Sequence, residues 1–254
     1  MNIFNRKGQK TIDFISAVEG LTEAVPIRRA IEMMPDWAKA CRKDFTKDKT
    51  QPLHLAKCPG IFDLYKVGYV VPMWCDVAIE TQGDTFRWTC QEHIKRLERV
   101  DHPSGELPIV TNHSYDNIAK FLPRRNQSIA NIIKIDTPWA VVAPPGVKFL
   151  ALPFPYPDHQ EFDACPGILD PAISTEVNIQ MYWNVKNKDY LLKAGTPMQI
   201  LVPLTENNYK YNVRDANEND KKWFRRKNFL AHFKINVDRK VMKSAYSKFW
   251  NNGK

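Results

Sequence analysis

Glycine is scarce in this chain, at 10 of 254 residues, whereas proline reaches 18. Neither a phosphate-cradling Walker loop nor a dinucleotide-binding glycine pattern occurs, which removes the two commonest glycine-built nucleotide sites. No apolar run approaches the roughly 18 to 20 residues that a membrane-spanning helix needs, so no membrane partner is expected. The first residues, MNIFNRKGQKTIDF, also lack the apolar stretch of a signal peptide, and the expected location is the cytoplasm of a host cell, or a virion. The five cysteines, Cys41, Cys58, Cys75, Cys90 and Cys165, form no C-x-x-C pair and leave one over under any pairing. They read as reduced, half-buried apolar residues rather than zinc ligands.

Acid is nearly absent from one region. From Lys221 to Lys254 there are eleven Lys or Arg residues and a single acid, Asp238, giving +10. Of the 37 basic and 28 acidic side chains in all, the rest of the chain therefore keeps 26 and 27, a net of −1. A neutral body bears a cationic appendage. With 43% hydrophobic and 26% charged residues, the chain has an ordinary globular composition.

What is abundant is short apolar runs bounded by Pro, Gly or Asp. They predict strands at Thr11–Ile15, Ile132–Ile135, Trp139–Ala143, Val147–Leu152, Val177–Trp183, Tyr190–Leu192 and Met198–Leu204. Gly68–Glu80 is strongly β in composition, and a turn at Thr81–Thr85 leads into Phe86–Cys90 as a hairpin. Val177, Ile179, Met181 and Trp183 alternate with Asn178, Gln180 and Tyr182, the period of two that puts one strand face in a core. Pro35-Asp36-Trp37 opens a short helix, and the polar stretch from Glu92 to Gln127 reads as loops. Trp74, Trp139 and Trp183, on strand-like runs, are expected in the core. The expected fold is mainly β: a single sandwich, jelly-roll or β-clip-like domain over 58–212. A strand and helix extension precedes it at 1–57, and a basic amphipathic helical tail follows at 213–254.

Three pieces in order carry a resemblance: Ala143-Pro-Pro-Gly-Val-Lys-Phe-Leu150, Gly167-Ile-Leu-Asp170 and Lys193-Ala-Gly-Thr-Pro-Met-Gln-Ile-Leu-Val-Pro203. Over the stretch from Ala143 to Pro203 they resemble the deoxyuridine triphosphatase and deoxycytidine deaminase superfamily. The resemblance implies a nucleotide site near Asp170 and the Gly195 strand with Gln199, Asp170 bonding a sugar hydroxyl or positioning a water. The alternative for Asp170 is to close a turn through its own backbone. The family's Arg-Ser-Gly phosphate turn is missing, since Ala151–Pro166 contains no Arg, Ser or Gly. Over a longer span, with Pro26–Trp37, Cys58-Pro-Gly60, Gly68–Asp76 and Trp139 added, the chain is similar to an uncharacterised family of tailed-phage proteins.

Other candidates are few. His159 and Glu161 have the spacing of two facial metal ligands in an iron oxygenase, but the only downstream histidine is His232, in the tail. Pro153-Phe-Pro-Tyr-Pro157 cannot pair as a ladder, which leaves Phe154 and Tyr156 on a stiff loop suited to covering a ligand or docking a partner. No cofactor is expected. In the tail, Trp223, Phe224, Phe229, Leu230, Phe233, Phe249 and Trp250 are too many large apolar groups for a solvated arm. Some of them pack, leaving Lys221, Lys222, Arg225, Arg226, Lys227, Arg239, Lys240 and Lys243 either to meet nucleic acid or an acidic protein, or simply to be solvated. The leading expectation is a noncatalytic binding or assembly protein that contacts other subunits, its own copies or virion components. A nucleotide enzyme and a metal-dependent oxygenase are the alternatives.

Overall fold

The computed structural model describes residues 11–47, 49–50, 53–100, 109–123, 125–224 and 239–252. Fourteen strands are found among them: β1 (Thr11–Ser16), β2 (Arg28–Arg29), β3 (Tyr69–Pro72), β4 (Val77–Gln82), β5 (Thr85–Cys90), β6 (Val110–His113) and β7 (Ile132–Val142). The rest are β8 (Lys148–Pro153), β9 (Phe162–Ala164), β10 (Gly167–Leu169), β11 (Glu176–Trp183), β12 (Asp189–Leu192), β13 (Pro197–Leu204) and β14 (Lys210–Asp215).

The strands form three sheets. The largest runs β14-β1-β7-β11-β9, with β6 beside the first half of β7; the second runs β10-β8-β13-β3-β2; the smallest is β12-β4-β5. One core lies between the two large sheets. Phe14, Trp139, Val141 and the alternating set Val177, Ile179, Met181 and Trp183 meet Tyr69, Val71, Phe149, Met198 and Leu201, all buried. Trp74 is buried in the same cluster. The fold is mainly β with a sandwich arrangement, as the alternating pattern indicates.

Each large sheet also has an apolar area on its outer face. Val70, Leu152, Ile200 and Val202 on the second sheet are covered by the segment before β3, where Ala38, Phe62 and Tyr65 pack. This cover includes the helix Asp36–Lys47, whose start at Pro35-Asp36 is the one the sequence signals. On the first sheet, Ile15, Ala140 and Val142 are covered by Trp223 and Phe224, from helical residues 218–224, and by Ala245, Tyr246 and Trp250 of the helix Arg239–Asn252. The described parts of the tail, 218–224 and 239–252, thus form a packed fourth layer. Its expected aromatics Phe229 and Phe233, with Leu230, lie outside the described residues.

Several expectations change. The two strands expected at Ile132–Ile135 and Trp139–Ala143 are one, β7, which passes straight through Pro138. Between Glu176 opposite Ala140 and Asn178 opposite Asp136 the register slips, so three residues of β7 face one of β11. This bulge takes up the proline. The Thr137 hydroxyl donates to the Val177 carbonyl there, and the Pro138 carbonyl accepts from the Ala17 amide at 2.8 Å. The β-rich run Gly68–Glu80 is two strands in different sheets, because Met73–Asp76 turn the chain between them. Gly68 starts the first with φ +82, where a Cβ would come within 2.9 Å of Ile200 and the Leu201 carbonyl. β6 runs through a region read as loop, its polar sequence held by pairing with β7. β1 of the N-terminal segment runs between β14 and β7, parallel to the first and antiparallel to the second.

Tyr246 fixes the tail layer to the end of β7. Its buried hydroxyl accepts from the Ala143 amide and donates to the Ala143 carbonyl, both at 2.8 Å. Tyr246→Phe leaves two buried backbone groups unpaired, and we expect a loss of about 1–3 kcal/mol in urea unfolding with the fold retained. An unchanged midpoint would show that the hydroxyl does not hold this layer.

Candidate functional site

The segment Phe162–Leu169 crosses from one sheet to the other. β9 pairs with β11 in the first sheet, and after Cys165-Pro166 the chain enters β10, which pairs with β8 in the second. A cleft of about 240 Å³ opens at this corner, lined by Gly167, Ile168 and Leu169 of β10, by Asn178 and Gln180 of β11, and by Gln199 of β13. It joins two of the three pieces that carry the family resemblance. A one-residue register slip in β13 between Pro197 and Gln199 turns both Met198 and Gln199 inward. Gln199 is buried and its Nε2 donates to the Cys165 carbonyl at 3.3 Å.

Asp170 follows directly but does not line the cleft. Its Oδ1 accepts from the Ala172 amide at 3.1 Å, and its carbonyl accepts from the Ile173 and Ser174 amides at 2.8 and 3.0 Å. Its Oδ2 lies 3.8 Å from Lys243 of the tail helix. The carboxylate is therefore engaged in a turn and in a contact with the tail. Cys165, at the corner, has its thiol pushed up by burial, which outweighs the lowering effect of Arg125. A thiol held protonated is a poor nucleophile. Burial also raises the Cys75 and Cys90 thiols.

A second cleft, of about 480 Å³, lies between the N-terminal helical cover and the proline-rich loop, lined by Arg28, Met34, Phe154, Asp158, His159 and Tyr190 among others. The loop is strapped down. Tyr65 donates from its hydroxyl to the Pro155 carbonyl at 2.8 Å, and Trp37 Nε1 donates to the Tyr156 carbonyl at 2.9 Å. These bonds hold Tyr156 at φ 47, unusual for a residue with a Cβ. Phe154 is buried with its ring 6.1 Å from that of Tyr65, whereas the exposed Tyr156 meets Trp37 edge-on at 6.0 Å. Phe154 and Tyr156 thus belong to the helical cover, separate from the cleft that Gln199 lines.

His159 and Glu161 are each bound to other partners. His159 Nε2 lies 3.2 Å from the Pro197 carbonyl, and its ring stacks on Phe162 at 4.0 Å. Glu161 hydrogen-bonds Tyr190, whose hydroxyl is raised first by burial and then by this carboxylate. Among the described residues no three His, Cys, Asp or Glu side chains come together as a metal site, and His232 lies outside them.

Of the tail cations, Lys221 pairs with Glu218 at 2.8 Å, and Lys222, Arg239, Lys240 and Lys243 are exposed. Arg225, Arg226 and Lys227 lie outside the described residues. Sequence reasoning missed Tyr246, which lacks any local motif, and the turn at 114–122, which leaves Tyr115, Ile118, Phe121 and Leu122 exposed. It had assigned Asn178 and Gln180 to the polar face of their strand, but not to a cleft.

Among the described residues, no helix is long and apolar enough to cross a membrane. No family model, curated protein or solved structure matches the chain.

The buried tyrosines give a pH prediction. Burial pushes the Tyr65 hydroxyl up to about 12, helped by Tyr156 and Asp158, and it also raises Tyr246. A folded state that holds its protons more tightly than the unfolded chain is favoured fully below the ordinary tyrosine value and loses that advantage as pH rises above it. Stability should therefore be flat from pH 8 to 10 with respect to these groups. Above pH 10 it should fall by up to about 1.4 kcal/mol per pH unit for each tyrosine. Urea midpoints across this range would show the fall, and Tyr65→Phe should make it shallower.

Proposed function

We propose that the chain is a noncatalytic binding or assembly protein of the kind tailed phages encode. Its body contacts other protein subunits, in a host cell or a virion. The phage element rests on the sequence resemblance alone. The observation that carries the binding reading is the turn at 114–122, where the four large apolar residues Tyr115, Ile118, Phe121 and Leu122 are all exposed, Phe121 at 78%. Apolar groups clustered outside a core are characteristic of a contact surface. The Cys165 thiol, raised by burial, and the engaged carboxylate of Asp170 fit the same reading.

A second reading, a nucleotide-acting enzyme on a deoxyuridine-triphosphatase-like scaffold, is favoured by one observation: β10 and Gln199 meet in the corner cleft. Against it stands the Ala151–Pro166 interval, which offers a phosphate neither a glycine turn nor an arginine. Two measurements separate the readings. Sedimentation velocity at micromolar concentration should show self-association that Phe121→Ser weakens at least tenfold. Purified protein should turn over no deoxyuridine triphosphate. Turnover abolished by Asp170→Asn, in a chain that stays monomeric, would reverse the assignment.

A further inference from the structure

The tail helix has two unlike sides. Met242, Ala245, Tyr246 and Trp250 are buried against the first sheet, while Arg239, Lys240, Lys243, Ser244, Lys248 and Asn251 are exposed. No acid occurs anywhere in Arg239–Asn252. The outer stripe from Arg239 to Lys248 extends about 14 Å along the axis at the rise of an α-helix. It carries four cations, of which Lys243 also lies 3.8 Å from Asp170, with the Ser244 hydroxyl and the exposed Val241 among them and the Asn251 carboxamide just beyond. Because the inner side is anchored by the Tyr246 bonds to Ala143, the stripe is presented by a rigid element.

We infer that this stripe is a docking surface for the phosphate backbone of a nucleic acid. The inference rests on the reading of the chain as a binding protein and adds the chemistry of a partner. The argument is charge complementarity. A charge of +10 falls between Lys221 and Lys254 in a chain whose remainder is −1, and four of those cations are exposed residues of this one helix, so the attraction belongs to the tail and not to the body. A duplex presents about one negative charge per 1.7 Å of its length, a density that a stripe of four cations about 14 Å long engages without bending. Contacts made to phosphate oxygens by lysine, arginine and serine carry no sequence information, so a stripe that meets the backbone should bind indifferently to sequence.

The test uses the full chain and fluorescent 40-nucleotide probes, one double-stranded DNA and one single-stranded RNA, with polyglutamate as the acidic-protein control. Four phosphate contacts predict an affinity that falls about 50- to 150-fold between 50 and 200 mM salt, depending on the strand form. Replacing the four cations together (R239Q, K240Q, K243Q, K248Q) should lower affinity at least tenfold at 50 mM salt and flatten the salt dependence. K240R, K243R and K248R together should preserve both. Neutralising Lys39, Lys43 and Lys47, on the helix covering the other sheet, should change neither. A measurement without mutation guards against a misfolded variant: bound probe should protect Lys240, Lys243 and Lys248 of the wild-type chain from acetylation. No binding at 50 mM salt, no protection, equal loss from the control helix, or equal affinity for polyglutamate would each overturn the inference. None of these outcomes bears on self-association or nucleotide turnover, so the binding-protein reading stands or falls separately.

Discussion

The constraint on which this structure depends is that the middle strands of each large sheet are apolar on both faces, so that part of each outer face cannot meet water. A sheet in a simple sandwich buries one side and solvates the other, and its strands then alternate apolar and polar. Here β1 and β7 place Phe14 and Val141 inward and Ile15, Ala140 and Val142 outward, and every one of them is buried. β3 and β13 do the same with Val71 and Leu201 on one side and Val70 and Ile200 on the other. Two covers are therefore obligatory, and segments before and after the strands provide them. The N-terminal helices supply Tyr65 and Phe62; the tail supplies Trp223, Tyr246 and Trp250. Large aromatics suit this role because each removes about 150–250 Å² from water and can still make a directional bond. Tyr65 and Tyr246 do so, ending on backbone carbonyls at 2.8 Å.

The same constraint explains how legible the molecule is from its sequence. Strand β11, with one face in the core and one turned to a polar environment, alternates strictly and can be read directly. The hairpin β4-β5 is equally plain, since Gly83 at φ 59 sits at its two-residue turn. Strands buried on both faces lose the alternation, so their boundaries blur. β7 could not be recognised as continuous because Pro138 reads as an interruption, and only the facing bulge and the Thr137 hydroxyl reveal how it is tolerated. β6 and β14 are polar, and they exist through partners elsewhere in the chain: β6 pairs with β7, and β14 pairs with β1, Lys210 opposite Thr11. Pairing of that kind leaves no local trace.

The candidate site divides along the same line. Gly167–Leu169 and Gln199 were marked by local motifs, and they do meet in one cleft. Phe154 and Tyr156 were marked by their prolines, but two donors from the N-terminal helices draw that loop toward the cover. Gln199 reaches its cleft because of a one-residue bulge. A feature set by register cannot be seen without the sheet. The exposed turn at Phe121 was invisible for a different reason: isolated apolar residues in a polar stretch do not announce whether the fold will bury them.

How much of the tail's charge is met by the body follows from where the nearby acids are engaged. Arg214 of β14 binds Asp13 at 3.1 Å and Asp220 at 2.5 Å, tying the first sheet to the helical residues that begin the tail layer. The buried Asp220 carboxylate also accepts from the Asn217 amide at 2.9 Å. Burial alone would lower Arg214, yet these two carboxylates raise it, so the cluster is electrostatically closed within itself. Asp170 is occupied by its own turn and by Lys243. These acids serve the join between tail and body; of them only Asp170 reaches the outer stripe, at Lys243, and the stripe's cations stand on a helix held by Tyr246 and Trp250. A surface ordered before it binds surrenders less conformational entropy on association than a loose basic arm would. Packing the aromatics therefore does two things at once: it covers the apolar face of the sheet and it holds the cations in one fixed array.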